Sequence, residues 1–133
     1  MIPVKQTRLH NEPEGSIGNC WEACIASILE LPIEDIPDCA DENWWTATQN
    51  WLLKNCGAKL LRINNTGEKT ILPGPFTYYI LSGKSPRSDV QHAVVAHRGG
   101  IVHDPHPSDD GLDGEWREAY FFVPVDPSTL KRK

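Results

Sequence analysis

Apolar side chains at Trp21, Cys24, Ile25, Ile28 and Leu29 fall three and four residues apart, the spacing of one helix face. Asn19 precedes them as a good N-cap residue, and Glu22 stands three later, where its carboxylate can reach back to the cap N–H. Pro32 marks the end, so the pattern predicts a helix whose first residue is Cys20. A second helix is predicted from about Asn43 to Cys56, with Trp44, Trp45, Trp51, Leu52 and Leu53 as its apolar face and Gly57 as its stop. From Lys59 onward the pattern changes to short strand-like runs: Lys59–Ile63, Thr77–Leu81, Ala93–His97, Ile101–Asp104 and Glu118–Val123. Gly99-Gly100 marks a hairpin between the third and fourth runs. Helices followed by strands predict the α+β class, with one domain spanning residues 1–133.

Composition narrows the function classes. Hydrophobic residues at 39% and charged residues at 23% describe a folded globular chain rather than a disordered one. The formal net charge of −5 argues against a nucleic-acid partner held through phosphates. The one basic cluster, Lys131-Arg132-Lys133, reads as a solvated tail. No apolar run approaches the roughly 20 residues needed to span a bilayer, so no membrane partner is expected. The start, Met1-Ile2-Pro3-Val4-Lys5-Gln6, does not read as a secretory signal, and the expected location is the cytoplasm.

In a reducing compartment Cys20, Cys24, Cys39 and Cys56 are expected to be free thiols. Their spacing lacks the two close pairs of a structural zinc site. Cys20 stands apart through its place at a helix start. There the unpaired N–H groups and the positive end of the helix dipole favour thiolate over thiol, and the same groups can donate to a developing oxyanion.

A thiolate nucleophile needs an imidazole to hold its proton, and the imidazole needs an orienting acceptor. His92 opens the apolar run Ala93-Val94-Val95-Ala96, and Asp104 closes the next strand. If Arg98-Gly99-Gly100 form the loop, His97 faces Ile101 and Asp104 becomes the diagonal neighbour of His92 on one sheet face. A two-residue turn shifts the register by one and sends Asp104 to the opposite face.

These residues carry a family resemblance. Gly18-Asn19-Cys20-Trp21 resembles the segment around the nucleophile of papain-like cysteine peptidases, where the Cys starts the central helix. The continuation Glu22-Ala23-Cys24-Ile25-Ala26-Ser27-Ile28-Leu29 is more similar to the double-glycine peptidase domains that process bacteriocins. Gln91-His92-Ala93-Val94-Val95 and His103-Asp104-Pro105 match, in order, the family's later His and Asp segments. The resemblance implies a papain-like fold, in which the N-terminal nucleophile helix packs on an antiparallel sheet. It implies a Cys20, His92, Asp104 triad cleaving an amide, peptide or isopeptide bond in a protein or peptide substrate, with no cofactor. It also asks for an oxyanion-hole Gln upstream of the nucleophile. Gln6 is the one candidate, fourteen residues before Cys20, with the Asn11–Ser16 loop as an insertion; the Cys20 N–H and Asn19 are further donors. Trp21 adjoins the nucleophile, and the loop carrying Ser85 and Arg87 borders the cleft just before His92, where Lys84 or Arg87 can meet an acidic substrate group.

Rival readings draw on the same residues. His92, His97, His103 and His106 with Asp104, Asp109 and Asp110 raise a metal site, but strand alternation sends His103 and Asp104 to opposite faces and no metal is assigned. Gly83-Lys84-Ser85 resembles the end of a phosphate-binding loop, yet Tyr78 stands where its leading Gly belongs. His106 competes with His92 for the imidazole role but sits between two prolines on a loop. An acyltransferase or deamidase, and a CHAP-type cell-wall amidase, would use the same triad, whereas a non-catalytic binding module would keep the cleft without a reactive thiol.

Overall fold

The structure is a computed structural model and describes residues 1–11, 17–67, 77–126 and 128. Residues 12–16 of the expected insertion and the basic tail lie outside the described residues. Two helices, α1 (Cys20–Leu29) and α2 (Trp44–Cys56), precede five strands: β1 (Ala58–Asn64), β2 (Tyr78–Lys84), β3 (Gln91–His97), β4 (Gly100–His103) and β5 (Glu118–Pro124). A 3₁₀ turn at Ile33–Asp35 lies between the helices. The strands form one antiparallel sheet in the order β1-β5-β2-β3-β4. The class is α+β. Among the described residues, no helix is long and apolar enough to cross a membrane.

Side chains alternate across the sheet, and each face has its own apolar cluster. Leu60, Ile80, Ala93, Val95 and Tyr120 join Cys24, Ile25, Ala26 and Leu52 on the helix side. Tyr79, Leu81, Val94, Ala96, Ala119 and Phe121 form the cluster on the other side, with Ile63, Leu112 and Trp116 packed against it. β2 and β3 are therefore buried on both faces, which explains their near-continuous apolar runs. α1 packs on β3 and β2, and α2 packs on β1. Leu52 is the fully buried anchor of α2, whereas Leu53 turns outward at 46% exposure, against its expected place on the apolar face.

The β3–β4 hairpin settles the register in an unexpected way. Its turn has two residues, Arg98 and Gly99, both at positive φ (56° and 81°), and His97 pairs with Gly100. That register continues through Ala96 opposite Ile101 and would send Asp104 to the wrong face. A β-bulge then intervenes. Val95 pairs with His103, so Val102 has no partner and the count shifts back by one. Asp104 regains the alignment toward His92 that a three-residue loop would have given.

Candidate functional site

The site is assembled around the first residue of α1. Asn19 occupies the N-cap position, but its side chain makes no cap hydrogen bond. Its Oδ1 instead accepts from the backbone N–H groups of Thr7 (3.0 Å) and Arg8 (2.9 Å), and its Nδ2 donates to Thr7 Oγ1 (2.8 Å). The expected reciprocal cap with Glu22 does not form either. Glu22 is buried beside Arg8 (Nη2 to Oε2, 3.6 Å), and burial raises its carboxyl pKa against the pull of its own N–H and of Arg8. Both residues tie the N-terminal segment to α1, and the Asn19 N–H that Glu22 was expected to reach donates instead to the Arg8 carbonyl (3.0 Å).

Gly18 makes the crossing possible. A Cβ there would lie 3.1 Å from Gln6 Nε2, 3.1 Å from the His10 backbone N and 3.3 Å from the Arg8 carbonyl. The fourteen-residue gap thus does not keep Gln6 away, and it lines the cleft that also holds Cys20 and His92. Gln6 Nε2 donates to the Arg8 carbonyl (2.8 Å), leaving one N–H, while its Oε1 is buried without a partner among the described residues.

His92 enters from the first turn of β3 and is 4% exposed. Its Nε2–H donates to Asp104 Oδ1 at 2.6 Å, which leaves Nδ1 as the ring nitrogen for the Cys20 side chain. Burial alone would lower the imidazole pKa, but the hydrogen bond to Asp104 and the interaction with the Cys20 side chain override it and raise it to about 9. Asp104 is likewise buried, which favours the neutral acid. The bond from His92 and the N–H groups of His106 (2.9 Å to Oδ1) and Gly111 (2.8 Å to Oδ2) outweigh this and hold it at about 2. The Asp104 carboxylate, the His92 imidazole and the half-buried Cys20 side chain are thereby brought into one row.

Two clefts meet at this row, and Cys20, Gln91 and His92 line both. The wider one, about 620 Å³, is bordered by Gln6, Ile17, Ser85, Arg87 and His106. The smaller, about 130 Å³, is walled by Trp21, Trp44 and Tyr120. Trp21 and Ser85 thus lie at the site from opposite sides. Arg87 borders the wide cleft but already holds Ser108 Oγ (2.9 Å) and Asp110 (4.0 Å), and Lys84 is engaged by Asp113 (3.0 Å). Asn19 lines a different cleft, with Glu22 and Asp38.

Three of the other histidines have tasks of their own. His103 Nε2 donates to the Val4 carbonyl (2.7 Å), and His97 stacks on Tyr78 with ring centroids 4.2 Å apart. His106 Nδ1 pairs with Ser108 and its ring stands 6.2 Å from that of His92. Among the described residues no group of three or more His, Cys, Asp or Glu converges as a metal site.

Sequence patterning did not identify Trp44, Tyr120 or Cys39 as neighbours of the thiol, because each is distant from it in the chain. Nor did it identify Lys5, whose ammonium donates to the Asp104 carbonyl (2.9 Å), the His106 carbonyl (3.1 Å) and Asp109 Oδ1 (2.6 Å). The tryptophan at the start of α2 was the one available signal for the small pocket. Comparison with models of known protein families, with curated proteins and with solved structures finds no match to this chain.

Proposed function

We propose that the chain is a thiol-dependent hydrolase that cleaves an amide, peptide or isopeptide bond in a protein or peptide substrate, on a papain-like arrangement of helix and sheet. The observation that carries this reading is the buried 2.6 Å bond between His92 and Asp104 with Cys20 beside it at the start of α1. With its proton held on His92 Nδ1, Cys20 Sγ attacks the carbonyl carbon, and the carbonyl π pair moves onto oxygen. The N–H of Cys20, at a helix start where such groups lack intrahelical acceptors, and the remaining N–H of Gln6 donate to that oxyanion. The imidazolium returns its proton to the amine nitrogen as the C–N bond breaks, leaving a thioester on Cys20. Water then gives a proton to His92 and attacks the thioester, and the proton moves to sulfur as the carboxylic acid leaves. Asp104 keeps the ring oriented and charged at the right step. The four free thiols suit a reducing compartment, and the cytoplasm is the proposed location.

Iodoacetamide labelling across pH, with each cysteine mapped by mass spectrometry, tests the reading. Cys20 is expected to react well ahead of Cys39 and Cys56, and to lose that advantage in His92→Ala. Equal labelling of the accessible thiols would favour a binding module on the same fold.

A further inference from the structure

We propose that the wide cleft beside Cys20 binds a carboxylate of the substrate, held between His106 and Arg87 close to the bond that is cleaved. The proposal rests on the thiol-hydrolase reading above and names its substrate class. Its first support is a local reversal of charge. The chain carries 18 Asp and Glu against 13 Lys and Arg, yet the described lining of this cleft contains Arg87 and no Asp or Glu. A cleft lined by one sign of charge concentrates groups of the other sign. Cys20 and His92 belong to the same lining, so an anion held there lies in the cleft that holds the reacting bond.

The second support is a row of donors already set in place. Ser108 Oγ accepts from Arg87 Nη1 (2.9 Å) and from the Asp110 N–H (3.3 Å), and lies 2.8 Å from His106 Nδ1. The Ser108 N–H donates to that same Nδ1 (3.0 Å). A ring nitrogen that accepts from a backbone N–H carries no proton, so the neutral His106 ring bears its proton on Nε2. Burial and the Arg87 charge lower the His106 pKa, which keeps the ring in this form at pH 7. Among the described residues Nε2–H has no acceptor, and Arg87 uses only Nη1, leaving Nη2 and Nε. The buried Ser85 hydroxyl accepts the Arg87 backbone N–H (3.2 Å), which anchors the loop that carries the guanidinium.

A carboxylate suits this row because its two oxygens accept from both donors and its charge meets that of Arg87. A basic side chain would meet a like charge. Asp110 does not already fill the role: it lies outside the cleft lining, is 54% exposed and stands 4.0 Å from Nη1. The His106 ring is 6.2 Å from that of His92, a span that about two extended residues cover. The carboxylate therefore belongs to an Asp or Glu side chain near the cleaved bond, or to a chain terminus just beyond it.

Two pairs of alkylating probes test the site and separate its sources. Bromoacetyl-Glu-amide is compared with bromoacetyl-Gln-amide for a side-chain carboxylate, and bromoacetyl-Gly-Gly with its C-terminal amide for a terminal one. The Cys20 thiolate displaces bromide and forms a thioether, and the rate is read as mass gain on Cys20. In at least one pair the anionic probe is expected to label at least about threefold faster than its neutral partner, and that pair identifies the source. Arg87→Gln and His106→Ala should each bring this ratio toward one. Lys84→Gln removes an equal charge outside the lining, where Lys84 pairs with Asp113, and should leave the ratio unchanged. Each ratio is taken within one variant, so partial loss of folded protein cancels. Ratios of one or less in both pairs, or a ratio that survives Arg87→Gln, or one that Lys84→Gln lowers equally, would overturn the carboxylate site. With Cys20 still selectively labelled, each of those results leaves the nucleophile reading intact. If neither these probes nor iodoacetamide single out Cys20, both readings fall together.

Discussion

At the scale of single residues, the strongest electrostatic statement concerns His92 and Asp104. The imidazole is raised from 6.5 to about 9, so its stabilising contribution is complete below pH 6.5 and fades as pH rises through 9. The carboxyl is lowered from 3.8 to about 2, so its contribution is complete above pH 3.8 and is lost as pH falls through 2. Both describe one bond. The Asp104 displacement corresponds to about 2 kcal/mol, and the larger His92 displacement also contains the Cys20 interaction, so the two are not summed. Replacing Asp104 by Asn removes the charge and lets burial act on the imidazole. NMR titration of the His92 ring should then show its midpoint falling from about 9 by more than about one pH unit. An unchanged midpoint would mean that Asp104 does not hold the proton there. These residues were legible in the sequence because each sits where an element begins or ends, and such positions expose functional groups against a rigid frame.

At the scale of elements, the helices and strands followed from periodicity, but the joints between them did not. Of the two turns the sequence allowed, the β3–β4 hairpin uses the two-residue one, and only the unpaired Val102 restored the face of Asp104. A bulge leaves little trace in a short apolar run such as Ile101-Val102-His103, since every residue there suits a strand. The crossing of the N-terminal segment over α1 was equally hidden, because Asn19 and Glu22 form a sound capping signature on their own. Its physical mark is Gly18, which a methyl group cannot replace without pushing on the backbone of Arg8 and His10. Gly18→Ala should therefore destabilise the fold by about 1–3 kcal/mol in urea denaturation, the usual range for overpacking at a constrained site. A stability equal to wild type would show that the segment moves aside freely.

At the scale of the whole molecule, the site and the second face of the sheet share one loop. Residues 104–117 begin at Asp104, fold back so that the N–H groups of His106 and Gly111 grip its carboxylate, and then lay Leu112 and Trp116 over the cluster around Val94 and Phe121. Burying apolar surface on that side therefore holds the loop that holds the carboxylate. Leu52 belongs to the helix-side cluster with Ile25, Leu60 and Tyr120, away from that loop in the chain. Two truncations separate the effects. Leu52→Ala empties a fully buried position and should cost about 2–5 kcal/mol while leaving the His92 titration in the folded protein near its wild-type value. Leu112→Ala removes a partly buried side chain and should cost less, about 1–3 kcal/mol, yet lower the His92 midpoint, because Gly111 next to it donates to Asp104 Oδ2. Denaturation and NMR titration of the two variants give opposite rankings if the second face supports the site. If the larger loss of stability also brings the larger fall in the His92 midpoint, the packing of Leu112 on the second face does not support the carboxylate.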